Sequence, residues 1–339
     1  PTGEIDKLIS VEIDTKPDKN WNKRLLESGY GNIYQTEERA SLLATENVTN
    51  YFLKFLDSKG NIVGQLLTSI RTRFNGLNLK TKIFKITPGL KKSVCVWSYG
   101  PVIFNSNFDS EIYLALKNFL RSKKFTVNGW THPLLPGNPE LLTKHFQIKK
   151  WGTFLVNLEK PIDEIYKNLD KHSCRKNIER SIKRGVVVEE LTEHTLPEYY
   201  EMINEMRLNA GREKGDFEYL VYRWKQFKPL GYSGFLARKN GKAVGGLLFS
   251  FINGHIIEIG VARSQEDTQN NLYSQDLIKW RIMEWGVNNK MKYYDLTGFN
   301  PEPISKKEEG IIRYKKKWGG TPRYYYRILE KPNILTGKI

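Results

Sequence analysis

The sequence predicts an α/β (α+β) protein made of two similar domains in tandem, each a mixed, twisted sheet flanked by helices. Three observations carry that expectation. The chain has 339 residues, about two domains at roughly 150 residues each. A short apolar motif occurs twice, half a chain apart. The elements after each copy come in the same order.

The first copy runs Gly60-Asn-Ile-Val-Gly-Gln-Leu-Leu67 and the second Gly241-Lys-Ala-Val-Gly-Gly-Leu-Leu248. Each follows a Phe-Leu pair, Phe55-Leu56 and Phe235-Leu236. Both read as hairpins, a β-rich run, a glycine turn and a second apolar run. Asn240-Gly241 is a type I′ signal because both residues tolerate positive φ; Ser58-Lys59-Gly60-Asn61 is a looser turn. After the first copy come an apolar strand (94–104), a helix (109–121) and a strand (125–130). After the second come a strand (255–262) entered through Asn253-Gly254, a helix (272–288) and a strand (293–296). That helix carries Leu277, Ile278, Ile282 and Trp285 on one face.

Between the two copies, Ile162, Ile165, Leu169, Ile178 and Ile182 give a helical period with a weak middle, Pro161 sits at the first helical position and Gly185 stops the helix. Val186–Val188 is a short strand. Thr195-Leu-Pro-Glu198 reads as a capping box opening a helix that ends near Gly211, and 216–227 is another helix. The expected domains are 1–155 and 156–339, the second ending in a basic, aromatic segment.

The 54 Lys+Arg against 37 Asp+Glu leave a net charge of +17, which favours polyanionic partners: nucleic acid, phosphorylated substrates or an anionic membrane surface. The competing reading is a soluble basic surface. Cys95 and Cys174 make no disulfide framework, and no Cys/His spacing suits zinc, so no metal is expected. No apolar run approaches membrane-spanning length, and Pro1–Ser10 lacks the pattern of a secretory signal. The expectation is a reducing, cytoplasmic setting and a monomer.

Lys167, Lys171 and Arg175, and likewise Lys176, Arg180 and Arg184, recur at four-residue spacing, each set along one side of a helix. Like charges so placed repel; a phosphate-bearing ligand relieves that, and a solvated face is the alternative. Residues 306–331 hold Lys306, Lys307, Arg313, Lys315, Lys316, Lys317, Arg323, Arg327 and Lys331 against Glu308, Glu309 and Glu330, interleaved with Tyr314, Trp318 and Tyr324–Tyr326. Charge with stacking surface suits single-stranded RNA ends; a basic edge strand with inward aromatics is the alternative. On a strand, Lys316 faces away from Lys315 and Lys317. Asp295 ends a strand before Thr297-Gly298, placed either to act on an amine or to cap a turn. Glu258, inside an apolar strand, is either outward-facing or a buried functional acid.

Serine-hydrolase elbows, P-loops and dinucleotide fingerprints are absent from the sequence. Several motifs do carry a resemblance. Gly31 to Ala40 holds Gln35, with Arg39 at a position usually tryptophan. Tyr99-Gly-Pro-Val102, Arg175 to Gly185, Tyr294-Asp-Leu-Thr-Gly298 and Tyr314-Lys-Lys-Lys-Trp-Gly319 follow in order. With these, nearly the whole chain resembles the Fem-type (FemABX) aminoacyl transferases of peptidoglycan bridges, on tandem GNAT-like domains.

That resemblance implies transfer of an aminoacyl group from aminoacyl-tRNA to an amine on a nucleotide-linked or lipid-linked muropeptide-like acceptor, with no separate cofactor. By motif position the catalytic lysine falls on Lys315, with Asp295 as its companion. An ammonium beside the ester stabilises the oxyanion of the tetrahedral intermediate. Arg175, Arg180 and Arg212 (Arg207 as a substitute) are candidates for acceptor phosphates. Tyr99, Glu258, Tyr273, Tyr314 and Trp318 complete the expected substrate site, and Arg313, Lys316, Lys317 and Arg323 the tRNA contact. Ordinary GNAT enzymes hold acyl-CoA pyrophosphate on a glycine-rich loop; here Ala262–Asn271 has no glycine and contains Glu266 and Asp267, which disfavours CoA. The long helical arm of some family members is missing, which fits a soluble nucleotide-linked acceptor. The alternatives are an acyl-CoA-dependent N-acyltransferase and a non-catalytic RNA-binding protein on the same fold.

Overall fold

A computed structural model describes residues 8–44, 47–74 and 91–329. The chain forms two compact units, one running to Trp151 and resuming at Tyr324, the other Gly152–Arg323. In the first unit come β1 (Ser10–Asp14), α1 (Trp21–Glu27), α2 (Glu37–Leu43), β2 (Val48–Leu56), β3 (Ile62–Phe74), β4 (Lys91–Val96), β5 (Val102–Ile103), α3 (Asp109–Ser122), β6 (Thr126–Trp130) and α4 (Pro139–His145). Along β7 (Gln147–Asn157) the chain enters the second unit. There it forms α5 (Ile162–Asn168), α6 (Lys176–Lys183), β8 (Val186–Glu190), α7 (Leu196–Asn209), α8 (Phe217–Gly231), β9 (Tyr232–Lys239), β10 (Lys242–Ile252) and β11 (His255–Arg263). Then come α9 (Gln265–Gln269), α10 (Ser274–Asn288), β12 (Tyr293–Phe299) and α11 (Lys306–Lys316), and β13 (Thr321–Leu329) runs back into the first unit. The sequence placed that last segment in the second domain; β13 instead pairs with β6, Ile328 opposite Gly129.

The strand order is β1-β2-β3-β4-β6-β13 in the first unit and β8-β9-β10-β11-β12-β7 in the second. The pairing sense also repeats. Neighbours are antiparallel except one parallel pair in each unit, β4–β6 and β11–β12, and each parallel pair is joined through a crossover helix, α3 or α10. The duplicated motif is thus a β-hairpin at the same place in each sheet. Asn240 and Gly241 take φ of 50° and 78°, as a type I′ turn requires. In the looser turn the Asp57 carboxylate accepts from the N–H groups of Lys59 (2.9 Å) and Asn61 (2.8 Å).

Each crossover helix lays an apolar stripe on its sheet. Ile112, Leu116 and Phe119 of α3 join Leu53, Phe55 and Leu66 in one core. Leu277, Ile278 and Ile282 of α10 join Leu247, Phe249 and Ile256 in the other, with Trp285 packed on its margin.

Four local readings change. The expected helix over 162–184 is broken, because Leu169 is extended (ψ 143°) and the Asp170 carboxylate caps a π-helical turn, Lys171–Arg175, by accepting from His172 N and Ser173 N. Lys167 is therefore cut off from Lys171 and Arg175. Thr195 bonds back to Thr192 in a turn ahead of α7, and the Glu198 carboxylate goes to Arg238 Nη2 at 2.7 Å. The 94–104 strand stops at Val96, turns through Tyr99 (φ 51°) and resumes as β5, which pairs with β3. Finally, Tyr314–Trp318 is the end of a helix, not a strand. Among the described residues no helix is long and apolar enough to cross a membrane.

Candidate active site

In the second unit, β11 and β12 pair in parallel only over His255–Ile257 and Tyr293–Asp295. Beyond Ile257 the strands part, and Glu258 is the first residue past that point. Side chains alternate along a strand, so Glu258 shares the α10 side of the sheet with Ile256. There its Oε1 accepts from Tyr294 OH (2.5 Å) and pairs with Lys279 of α10. One helical turn away, Asp276 pairs with Lys317 at the end of α11. All four charged side chains are at least nine-tenths buried. Charges this desolvated persist only when paired. Burial nonetheless pushes the Asp276 carboxyl above its ordinary range, with Lys317 pulling the other way. Burial also raises the phenols of Tyr294, beside Glu258, and Tyr314, beside Asp276 and Glu258. The outer part of Tyr314 still reaches solvent.

Lys315 stands in the last turn of α11. Its Nζ donates to Gly298 O (2.7 Å) and Thr297 O (3.0 Å). The third N–H group of the ammonium has only a long contact, Thr297 Oγ1 at 3.5 Å, which a better-placed acceptor can replace. Burial lowers Lys315 to about 8, against the pull of Glu258. The two carbonyls are aimed by a local distortion: β12 loses register against β7 between Asp295 and Gly298, and Thr297 takes φ of 62°. Asp295 holds that distortion. It is fully buried, and its Oδ1 accepts from Thr297 N (2.7 Å) and Thr153 Oγ1 (2.5 Å). Its Oδ2 lies 3.1 Å from His255 Nε2. This is the turn-capping arrangement, one of the two readings the sequence leaves open for Asp295.

The remaining expected residues scatter. Helical rotation is about 100° per residue, so Lys317 points away from Lys315 and is spent on Asp276; Arg313, Lys316 and Arg323 are exposed. Trp318 is fully buried in the core, leaving it no surface for a substrate. Tyr273, in the left-handed region (φ 55°), lies under the guanidinium groups of Arg180 (6.0 Å) and Arg184 (5.3 Å). Arg175 covers the Tyr166 ring at 5.9 Å. Arg212 is exposed after α7, and Arg207 Nε donates to Glu213 O at 2.8 Å. Tyr99 belongs to the first unit, where its ring meets those of Tyr34, His132 and Tyr325. Arg39 lines a pocket of about 190 Å³ in that unit with Trp97 and Trp130. Glu330 and Lys331 lie outside the described residues. Sequence reasoning missed Asp276 and Lys279, whose signal was two charges on the apolar side of a helix.

The loop before α10 is also built differently from an open anion cradle. It contains α9, and Asp267, fully buried, turns its own carboxylate onto the α10 N-terminus. Oδ1 accepts from Ser274 N at 2.8 Å, and Oδ2 pairs with Arg263. An internal anion already caps the helix.

No protein-family profile matches the chain, and no curated protein does. Solved structures do. FemX superposes with a TM-score of 0.68 at 13% identity, over 95% of this chain and 98% of that one. The fold is the Fem-type tandem GNAT fold. L-PGS from Bacillus licheniformis shares it (TM-score 0.57, 15% identity, 95% and 94% covered). So does a tandem GNAT protein from the clavulanic acid biosynthesis pathway (0.50, 10%, 95% and 97%). Within the Fem-type fold, the second unit holds Lys315, the parted strands and the buried ion pairs together.

Proposed function

We propose that the protein is an acyltransferase that moves an aminoacyl group from aminoacyl-tRNA to an amine of a nucleotide-linked, muropeptide-like acceptor. The observation that carries this reading is Lys315, a lysine fixed by two backbone carbonyls, its third N–H held only by a long contact to Thr297 Oγ1, beside parted strands. In the reaction the acceptor nitrogen attacks the ester carbonyl carbon and a C–N bond forms. The ester C–O bond breaks, and the amine proton ends on the released ribose oxygen. Lys315 donates to the carbonyl oxygen as it becomes an oxyanion; such a donor is worth roughly 2–4 kcal/mol.

A tRNA donor is favoured over acyl-CoA because Asp267 sits on the α10 N-terminus, where a pyrophosphate meets both a carboxylate and a satisfied N–H. The net charge of +17 favours the same donor. Tight, stoichiometric acetyl-CoA binding in a calorimetric titration reverses that choice, and a lipid-linked acceptor is the competing outcome of an acceptor screen.

Lys315→Met is expected to lower the single-turnover rate about a hundredfold or more with donor and acceptor affinities little changed. Lys316→Met, at an exposed neighbour, is the control and leaves the chemical rate intact. Equal losses at both positions mean a diffuse electrostatic patch; tRNA binding without turnover for any amine means an RNA-binding protein.

A further inference from the structure

Glu258 has a half-used carboxylate. Its Oε1 takes both Tyr294 OH and Lys279, while Oε2 accepts no hydrogen bond from the described residues. The side chain is nine-tenths buried, yet Oε2 is not among the fully buried unpartnered atoms, so its lone pairs face solvent and are open to a donor arriving from there. Tyr294 and Lys279 fix its direction, and it sits where β11 leaves β12. Both groups are tied to β12: Glu258 through Tyr294, and Lys315 through the carbonyls of Thr297 and Gly298.

Resting on the aminoacyl-transfer reading, we propose that Glu258 Oε2 receives the α-amino group of the donor's aminoacyl moiety. Covalent geometry supports the assignment: the α-nitrogen is two bonds from the carbonyl carbon, so it lies about 3 Å from the oxygen that Lys315 meets. A carbonyl held by Lys315 thereby brings its α-amino group toward the neighbouring carboxylate. The N–H···O⁻ bond is charge-assisted. A plain acyl group has nothing to offer Glu258. The pair Lys315 and Glu258 therefore reads carbonyl and amine together and selects aminoacyl over simple acyl donors.

The test uses two stable tRNAs, one with alanine joined through an amide at its 3′ end, the other with propionate, which differs only in lacking the amine. Wild-type protein is expected to bind the alanyl form about tenfold to a hundredfold more tightly. The double variant Glu258→Gln/Lys279→Met removes the buried pair together, so that no charge is stranded, and is expected to bind both alike. Glu258→Asp keeps a charge opposite Lys279 but withdraws the carboxylate, and also loses the preference. Equal binding of both tRNAs by the wild type, or a preference retained in a folded variant, overturns the role of Glu258 and leaves the donor reading standing. Failure of the wild type to bind either tRNA overturns the donor reading itself.

Discussion

Burial sets the working pH of Lys315. With its ammonium lowered to about 8, the group is mostly charged at neutrality and loses its proton as pH rises through that value. The donor of a hydrogen bond to an oxyanion is the protonated form, whereas the attacking acceptor amine must be neutral, so the single-turnover rate is expected to follow a bell, rising as the acceptor loses its proton and falling as Lys315 does. The falling limb is the mark of Lys315: in stopped-flow measurement across pH 6–10, Lys315→Met is expected to keep the rise and lose the fall, and a fall that survives the substitution belongs to another group. The two acids nearby are told apart by their partners. Asp295 has spent its acceptors on Thr153, Thr297 and His255, whereas Glu258 has one oxygen committed and one open. Both are carboxylates in apolar strands, and the pattern of residue types does not distinguish them.

The elements that sequence reasoning placed well are those whose signals are local. Asn240-Gly241 named its turn, the stripe of Leu277, Ile278 and Ile282 named α10, and the repeat named the second hairpin. Misplaced elements depend on partners far away in sequence. The run Tyr314–Gly319 reads as strand from its aromatics, yet it closes α11 because Lys317 reaches Asp276 and Trp318 fills a core pocket 0% exposed. The buried pairs Glu258–Lys279 and Asp276–Lys317 need the fold before they exist as pairs. Within α11 lies an avoidable entropic cost. Gly310 is half-buried, interior to the helix, and has open space where a Cβ belongs. Gly310→Ala is expected to stabilise the protein by about 0.5–1 kcal/mol, read from chemical denaturation, and a loss of stability shows that α11 needs that freedom.

At the scale of the molecule, charge governs encounter. Phosphate contacts release counterions, so tRNA affinity is expected to fall linearly on a log–log plot against salt. Lys316→Met lowers the slope by about 1 if that lysine meets a phosphate; an unchanged slope removes it from the interface. The return of β13 to the first unit governs something else, the order of events during synthesis. Arg327 Nε bonds Asn128 Oδ1 at 2.9 Å across 199 residues of chain, and Ile328 completes the first core. At about 5–20 residues per second, β6 waits on the order of 10–40 s for its neighbour. During that wait the nascent chain carries a bare strand edge, a template for pairing with other molecules. A fragment ending near Trp151 keeps that edge permanently, so the N-terminal half is a poor candidate for life on its own.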